Sequence, residues 1–116
     1  MNLLEKRVAE VLRLITHGRS IRVDAASDGS LRATVEFAVH TVDFHVLWAG
    51  EGWPADVRRA LSGHKSGSKL QTVVLARKMA PGSIELLDAT GHGWADETGA
   101  ARIETDRLIV MRDGSD

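Results

Sequence analysis

The 116-residue sequence contains no cysteine and no tyrosine, and its only other large aromatic residues are three tryptophans and two phenylalanines. Without cysteine the chain has no disulfide framework, no thiolate metal site and no thiol nucleophile. So few aromatic side chains leave little material for a surface on which nucleic-acid bases could stack. The tryptophans are therefore expected mainly in the core or as helix anchors.

Long apolar runs and a strong net charge are also missing. No apolar run approaches the ~20 residues that a membrane span needs, and charges interrupt the N-terminal segment MNLLEKRVAEVLRL, which excludes a secretory pattern. We therefore expect a cytoplasmic protein with no membrane partner. Fifteen basic and sixteen acidic residues give a net charge of −1. Nucleic acid would thus have to bind to a local basic patch, since the overall charge does not attract it.

The length fits one domain, with 43% hydrophobic and 27% charged residues, as in globular proteins. We expect a single α/β domain over residues 1–112 and a frayed tail at 113–116. A helix is predicted at 2–17, because apolar residues recur there at the helical period. Asn2 and Glu5 form a capping box, and Gly18 is expected to supply the left-handed residue that ends the helix. The apolar stripe consists of Leu4, Val8, Val11, Leu12 and Ile15.

After this helix the apolar period changes to two, which predicts half-buried strands. Strands are expected at about 20–27 and 31–39, joined by a tight turn at Asp28-Gly29. After Val39 the alternation slips by one residue, and a further strand runs over 41–49. The slip fits either a very tight turn at His40-Thr41 or a bulge within one long bent strand, and both remain open.

The second half of the chain alternates helices with strands. Pro54 opens a helix at 54–62, and Pro81 opens another at 81–90, which Gly91 closes. Between them the segment 70–77 is apolar at almost every position, which predicts a central strand covered on both faces. Strands at 93–97 and 101–111 flank a turn at Thr98-Gly99. The order αβββαβαββ indicates an α/β domain with a mixed sheet.

Asp43 and His45 are the clearest candidates for chemistry. Residues two apart in a strand share a face, and a carboxylate beside an imidazole can hold a divalent ion or move protons. The alternative, an ordinary polar strand face, is favoured because the spacing fixes no third ligand. His64 and His92 lie in glycine-bearing turns, where solvated side chains are the simpler expectation.

A modest concentration of basic residues surrounds the glycine- and serine-rich loop that follows the second helix. Arg58 and Arg59 precede this loop, and Lys65 and Lys69 lie within it. These four residues are the candidates for contact with a phosphate backbone. The alternative for any such cluster is a solvated surface without a partner.

Two segments carry a family resemblance: WAGEGWPADVRRAL at 48–61 and VVLARKMAPGSIELLDATGHGWADETGAARIE at 73–104. They resemble restriction-endonuclease-like domains, often degenerate, of actinobacterial proteins in which such a domain can accompany a DNA-binding winged helix. The matching features are a strand that ends in Ala-Arg, a helix that opens with Pro-Gly, and the pattern G-x-G-W-x-D-x-x-G-x-A-R-I from Gly91 to Ile103. The resemblance covers about half of the chain and rests on turn and packing residues.

The resemblance implies a core of one helix, three mostly antiparallel strands, a second helix and a fourth strand. Catalytic members carry an acid on the second strand and a (D/E)-x-K pattern on the third, so that two carboxylates hold Mg²⁺ and the lysine assists the attacking water. Here the third strand offers Asp43-x-His45, and no lysine occurs from 7 to 64. Asp24 and Glu36 are the nearby acids. The diagnostic lysine is therefore absent.

Three functions follow. The leading one is a non-catalytic nuclease-like binding or interaction module, whose partner is DNA or a regulatory protein in transcription or defence, and which needs no cofactor. The second is an atypical metal-dependent nuclease that uses Asp43, His45 and Asp24 or Glu36 with Mg²⁺. The third is a structural or oligomerising domain, in which a second copy covers apolar surface left by Leu47, Trp48 or Trp53.

Overall fold

The structure, a computed structural model, describes residues 2–25, 30–63, 70–105 and 107–114. This part of the chain forms a mixed α/β fold of three helices and seven strands, which confirms the expected fold class. No helix in it is long and apolar enough to cross a membrane. The elements are α1 (Leu3–Thr16), β1 (Ser20–Ala25), β2 (Leu31–Glu36), β3 (Thr41–Trp48), α2 (Pro54–Ser62), β4 (Thr72–Ala76), α3 (Pro81–Thr90), β5 (Gly93–Asp96), β6 (Ala101–Glu104) and β7 (Ile109–Arg112).

All seven strands form one sheet, and their order across it is their order in the chain. The central strands β3, β4 and β5 are parallel, and the remaining neighbours pair antiparallel. The buried stripe of α1 packs on one face of the sheet, while α2 and α3 cover part of the other face. In β4, Val73 and Leu75 join the first core, and Val74 and Ala76 join the second. The predicted central, doubly buried strand is thus confirmed.

The ends of α1 match the sequence at one terminus and differ at the other. Asn2 and Glu5 form the expected capping box, with the Glu5 N–H donating to Asn2 Oδ1 at 2.8 Å. The left-handed residue at the C-terminus is His17, however, with φ of 54°, and not Gly18. Gly18 is close to β2 instead: a Cβ there would lie 2.4 Å from Val35 Cγ1. This glycine therefore permits close packing.

Residues 31–49 form two strands, so the alternative of one long bent strand is wrong. The turn closes at Phe37, whose N–H donates to the His40 carbonyl at 2.8 Å, and the two rings stack with centroids 5.0 Å apart. Val39 is 91% exposed in this turn and takes no part in the sheet. The strand predicted at 31–39 ends at Glu36, because ring stacking and the turn replace the sheet pairing beyond it.

The single strand predicted at 101–111 is also wrong, because β6 and β7 are separate strands of a hairpin. The Thr105 hydroxyl accepts hydrogen bonds from the N–H groups of Arg107 and Leu108, at 3.1 and 2.9 Å, and so holds the turn. The Thr105 N–H also donates to the Leu108 carbonyl at 2.8 Å. A threonine-based turn lacks the glycine or proline that signals most turns.

The remaining turns agree with the sequence where they can be compared. Pro54 and Pro81 open α2 and α3, and Gly91 ends α3 in the left-handed conformation. Gly99, with φ of 94°, completes the turn between β5 and β6. The predicted Asp28-Gly29 turn lies outside the described residues. In the expected tail, Gly114 lies against the β5–β6 turn, where a Cβ would come 2.1 Å from Thr98 Oγ1, and residues 115 and 116 are outside the described part.

Candidate functional site

Asp43 and His45 lie on the face of β3 that points away from α1. Their neighbours Val42, Phe44 and Val46 are buried in the core beneath α1, while both polar side chains are half-buried. This alternation is the one that their spacing predicts. The face they share with the polar residues of β1 and β2 is not covered by α2 or α3 at this end of the sheet.

Both carboxylate oxygens of Asp43 face groups on the neighbouring strand. The hydroxyl of Thr34, its cross-strand partner, donates to Asp43 Oδ1 at 2.5 Å. Arg32 approaches the other oxygen, with 3.6 Å between Nη2 and Oδ2, and the Asp43 side chain is 34% exposed. A cation bound by Asp43 would have to displace or repel the Arg32 guanidinium. The carboxylate is thus engaged within the protein.

The structure does not bring a third metal-binding group to this pair. Asp24 lies on β1 opposite Arg32, and its carboxylate pairs with Arg22 at 3.3 Å. Neighbouring strands are about 4.8 Å apart, so β2 separates the backbones of β1 and β3 by roughly 10 Å. Glu36 lies opposite Thr41, at the end of β2. Within the described residues, no three His, Cys, Asp or Glu side chains lie close enough to hold an ion.

A cleft of about 540 Å³ opens beside Asp43, at the edge of the sheet where the parallel strands β3, β4 and β5 begin. Several groups in its wall already have partners. His92 Nδ1 lies 2.7 Å from the Thr90 hydroxyl, and the side-chain amide of Gln71 donates to the Glu104 carbonyl at 3.0 Å. The wall is mostly polar, and it consists of Thr41, Val42, Asp43, Leu70, Gln71, Thr72, Gly91, His92, Thr105 and Arg107.

Sequence reasoning found only Asp43 in this wall as a site residue. It placed His92 in a solvated turn and did not select Gln71, Thr105 or Arg107. These residues come from segments far apart in the chain, and the β6–β7 turn that brings Thr105 and Arg107 to the cleft was itself missed. A local pattern carries no signal for such an arrangement.

The predicted basic patch is described only in part. Arg58 and Arg59 are exposed on α2, and Arg59 Nη1 lies 3.5 Å from Oδ1 of Asp56 on the same helix. Lys65 and Lys69 lie outside the described residues, as does His64. The segment 64–69 connects Gly63, which caps α2, with Leu70 in the cleft wall.

The opposite edge of the sheet, where β3, β4 and β5 end, is the usual ligand-binding edge of open α/β sheets, but here its polar groups hold the fold together. The buried Asp96 carboxylate accepts from the Met79 N–H, the Thr98 N–H and the Thr98 hydroxyl. Arg7 of α1 pairs with Glu97 at 2.6 Å and lies 4.6 Å from the centroid of the Trp48 ring. The hydrogen bond to Glu97 raises the pKa of Arg7, which therefore stays charged.

The apolar residues named for an oligomer contact have different fates. Leu47 is buried in the core beneath α2 and α3, so it offers no surface to a second copy. Trp48 is half-buried beneath Arg7. Trp53, at the start of α2, is the one that remains largely exposed.

Comparison of the chain with protein-family models, with curated proteins and with solved structures found no match. The candidate site therefore rests on the geometry of β2, β3 and the adjoining cleft.

Proposed function

We propose that this chain is a non-catalytic nucleic-acid-binding module on a restriction-endonuclease-like scaffold. One observation carries the proposal: the Asp43 carboxylate, where the resemblance puts a nuclease acid, is held by Arg32 and Thr34, and His45 takes the position of the lysine. A fixed guanidinium now lies beside the carboxylate that would hold a metal ion. The geometry favours a scaffold that has kept the strands and lost the reaction.

The topology supports the scaffold part of the proposal. A helix, three antiparallel strands, a second helix and a strand parallel to the third follow one another as α1, β1, β2, β3, α2 and β4. This is the order that the resemblance implies. Fold alone does not determine activity, so the argument against catalysis rests on the side chains of β2 and β3.

The binding part of the proposal rests on the exposed arginines of α2 and the lysines that follow them. Arg58, Arg59, Lys65 and Lys69 flank or lie in a segment rich in glycine and serine. Arginine and lysine side chains contact phosphates more readily than base edges when they are not fixed in a groove. The remaining acids repel the same polyanion, so we expect weak, sequence-independent binding at about 10⁻⁴ to 10⁻⁶ M.

The first test is cleavage of plasmid DNA by the purified protein with Mg²⁺ or Mn²⁺. We expect no cleavage above that of a mock preparation, because the site lacks the lysine and a second carboxylate near Asp43. Cleavage that is absent from an Asp43→Ala variant would overturn the proposal and support the metal-dependent nuclease, with Mg²⁺ as its cofactor.

The second test is a titration of a labelled DNA duplex at several salt concentrations. Release of counterions from about four phosphates gives a slope of log K against log salt between about −3 and −4. We expect the variant with Arg58, Arg59, Lys65 and Lys69 changed to alanine to lose most of this binding.

A matched control separates this patch from general charge. Changing Lys6, Arg13, Arg19 and Arg22 to alanine removes the same charge from exposed positions on and near α1 and β1. This control is expected to keep the affinity and the salt slope. Equal loss in both variants would show a non-local charge effect and contradict the patch, and no binding by the wild type would favour a regulatory protein as partner.

A further inference from the structure

The two edge strands of the sheet differ in their protection. On β1 the exposed residues include Ser20, Arg22 and Asp24, and charged side chains are a common means of preventing edge-to-edge pairing. On β7 the exposed face carries Ile109 and Met111, which are 66% and 62% exposed. The outer edge of β7 pairs with no strand in the described part of the chain. An apolar unpaired edge is a template for another strand.

The hydrogen bonds of the hairpin show which backbone groups this edge offers. The Thr105 N–H donates to the Leu108 carbonyl, and the next pair in register is Glu104 with Ile109. In an antiparallel ladder, bonded and non-bonded pairs alternate, so Ile109 is a non-bonded partner of β6. The N–H and C=O groups of Ile109 and Met111 therefore point outward, and those of Val110 point to β6.

We propose that two copies of this chain associate through antiparallel pairing of their β7 strands, with the twofold axis at Val110. This register puts Ile109 opposite Met111 of the second copy, and both residues have outward-pointing backbone groups. The two such pairs form four backbone hydrogen bonds and bring the exposed apolar side chains together. The two sheets then continue as one across the axis. This inference does not depend on the proposed nucleic-acid binding.

Charge complementarity selects this register. With the axis at Val110, exposed Arg107 lies opposite exposed Asp113 of the second copy, once at each end of the contact. An axis at Ile109 would put Arg107 opposite Met111, and an axis at Met111 would put Ile109 opposite Asp113. Both alternatives match outward backbone groups but pair a charged residue with an apolar one. Only the register at Val110 pairs apolar with apolar and positive with negative.

The contact is one short strand wide, so it belongs with small, weak interfaces. We expect a dimer dissociation constant in the micromolar range, about 10 to 100 µM. Sedimentation velocity over a wide range of protein concentration measures it directly. The expected result for the wild type is a reversible monomer–dimer equilibrium within that range. A chain that stays monomeric at about 1 mM would overturn the proposal.

Variants on β7 test the surface. Ile109→Lys and Met111→Lys put charge on the exposed edge while leaving the buried Val110 in place, and each is expected to weaken the dimer at least tenfold. Circular dichroism and the urea midpoint confirm that each variant remains folded. Trp53→Ala, on the other exposed apolar surface, is the control and is expected to leave the dissociation constant unchanged. Loss of the dimer in Trp53→Ala but not in Ile109→Lys would place the contact elsewhere and overturn the proposal.

A charge exchange tests the register. Arg107→Asp puts two acids opposite each other at both ends, and Asp113→Arg puts two bases there, so each single change is expected to weaken dimerisation several-fold. The double variant restores opposite charges and is expected to regain most of the wild-type affinity. Additive loss in the double variant would contradict the pairing of these residues, and with it the axis at Val110.

Discussion

Gly52 lies in the turn between β3 and α2, with its α-carbon against the backbone of the segment that leads into α3. Its φ is 89°, and a Cβ there would lie 2.0 Å from the Lys78 carbonyl oxygen. The Gly52 carbonyl also accepts from the Ala80 N–H and the buried Ser83 hydroxyl. Two loops thus meet at a point where only a hydrogen atom fits.

We therefore expect Gly52→Ala to destabilise the protein by about 3 kcal/mol or more, because backbone has to move as well as adopt strain. Gly50→Ala is the matched control, since Gly50 also has positive φ, 54°, but no atom lies within 4 Å of its added Cβ. The control is expected to lose about 1 kcal/mol, the cost of the left-handed conformation alone. Urea unfolding measures both, and equal losses would contradict the close approach at Lys78.

At the scale of elements, β4 is the strand on which both cores depend. Val74 is fully buried against α2 and α3, and its neighbours Val73 and Leu75 are fully buried beneath α1. We expect Val74→Asp to prevent folding, because an unpaired buried charge costs several kcal/mol against a total stability of roughly 5 to 15 kcal/mol. Circular dichroism of the purified variant checks this.

The control for that variant is Val39→Asp, which makes the same chemical change at a residue exposed in the β2–β3 turn. It is expected to change the free energy of unfolding by no more than about 0.5 kcal/mol. A folded Val74→Asp protein of near-normal stability would show that β4 is not the shared centre of the two cores.

Which elements the sequence could predict depended on how each one ends. Helices opened by Pro54 and Pro81 and closed by Gly91 were predicted with the correct limits, because those residues act locally on the backbone. The turns at Phe37–His40 and Thr105–Leu108 were missed or left open. Ring stacking closes the first and a threonine hydroxyl holds the second, and neither leaves a glycine or proline in the sequence.

The candidate site was predictable only as far as strand alternation reaches. Asp43 and His45 share a face, as their spacing requires. That Arg32 and Thr34 would engage Asp43 depends on the register between β2 and β3, which the open phase slip after Val39 left undetermined. The cleft wall depends further on a hairpin that was predicted as one strand.

For the whole molecule, the shared sheet predicts a single cooperative transition. Both cores use residues of β3, β4 and β5, so neither can lose its packing while the other keeps it. We expect unfolding curves from far-UV circular dichroism and from tryptophan fluorescence to coincide. The Trp53→Phe variant removes the exposed tryptophan and leaves Trp94, which is buried in the second core, to report on tertiary structure. Separate midpoints for the two signals would contradict this coupling.

The match between strand order and chain order has a consequence during protein synthesis. Each strand pairs with the strand made just before it, so the sheet can grow from β1 towards β7 as the ribosome releases the chain. Helix α1 is made before all of them and meets β1 early, yet its Arg7 pairs with Glu97, 90 residues later. At about 5–20 residues per second, part of its apolar stripe is exposed for roughly 5–20 s. During that interval the nascent chain presents a surface that chaperones at the ribosome can bind.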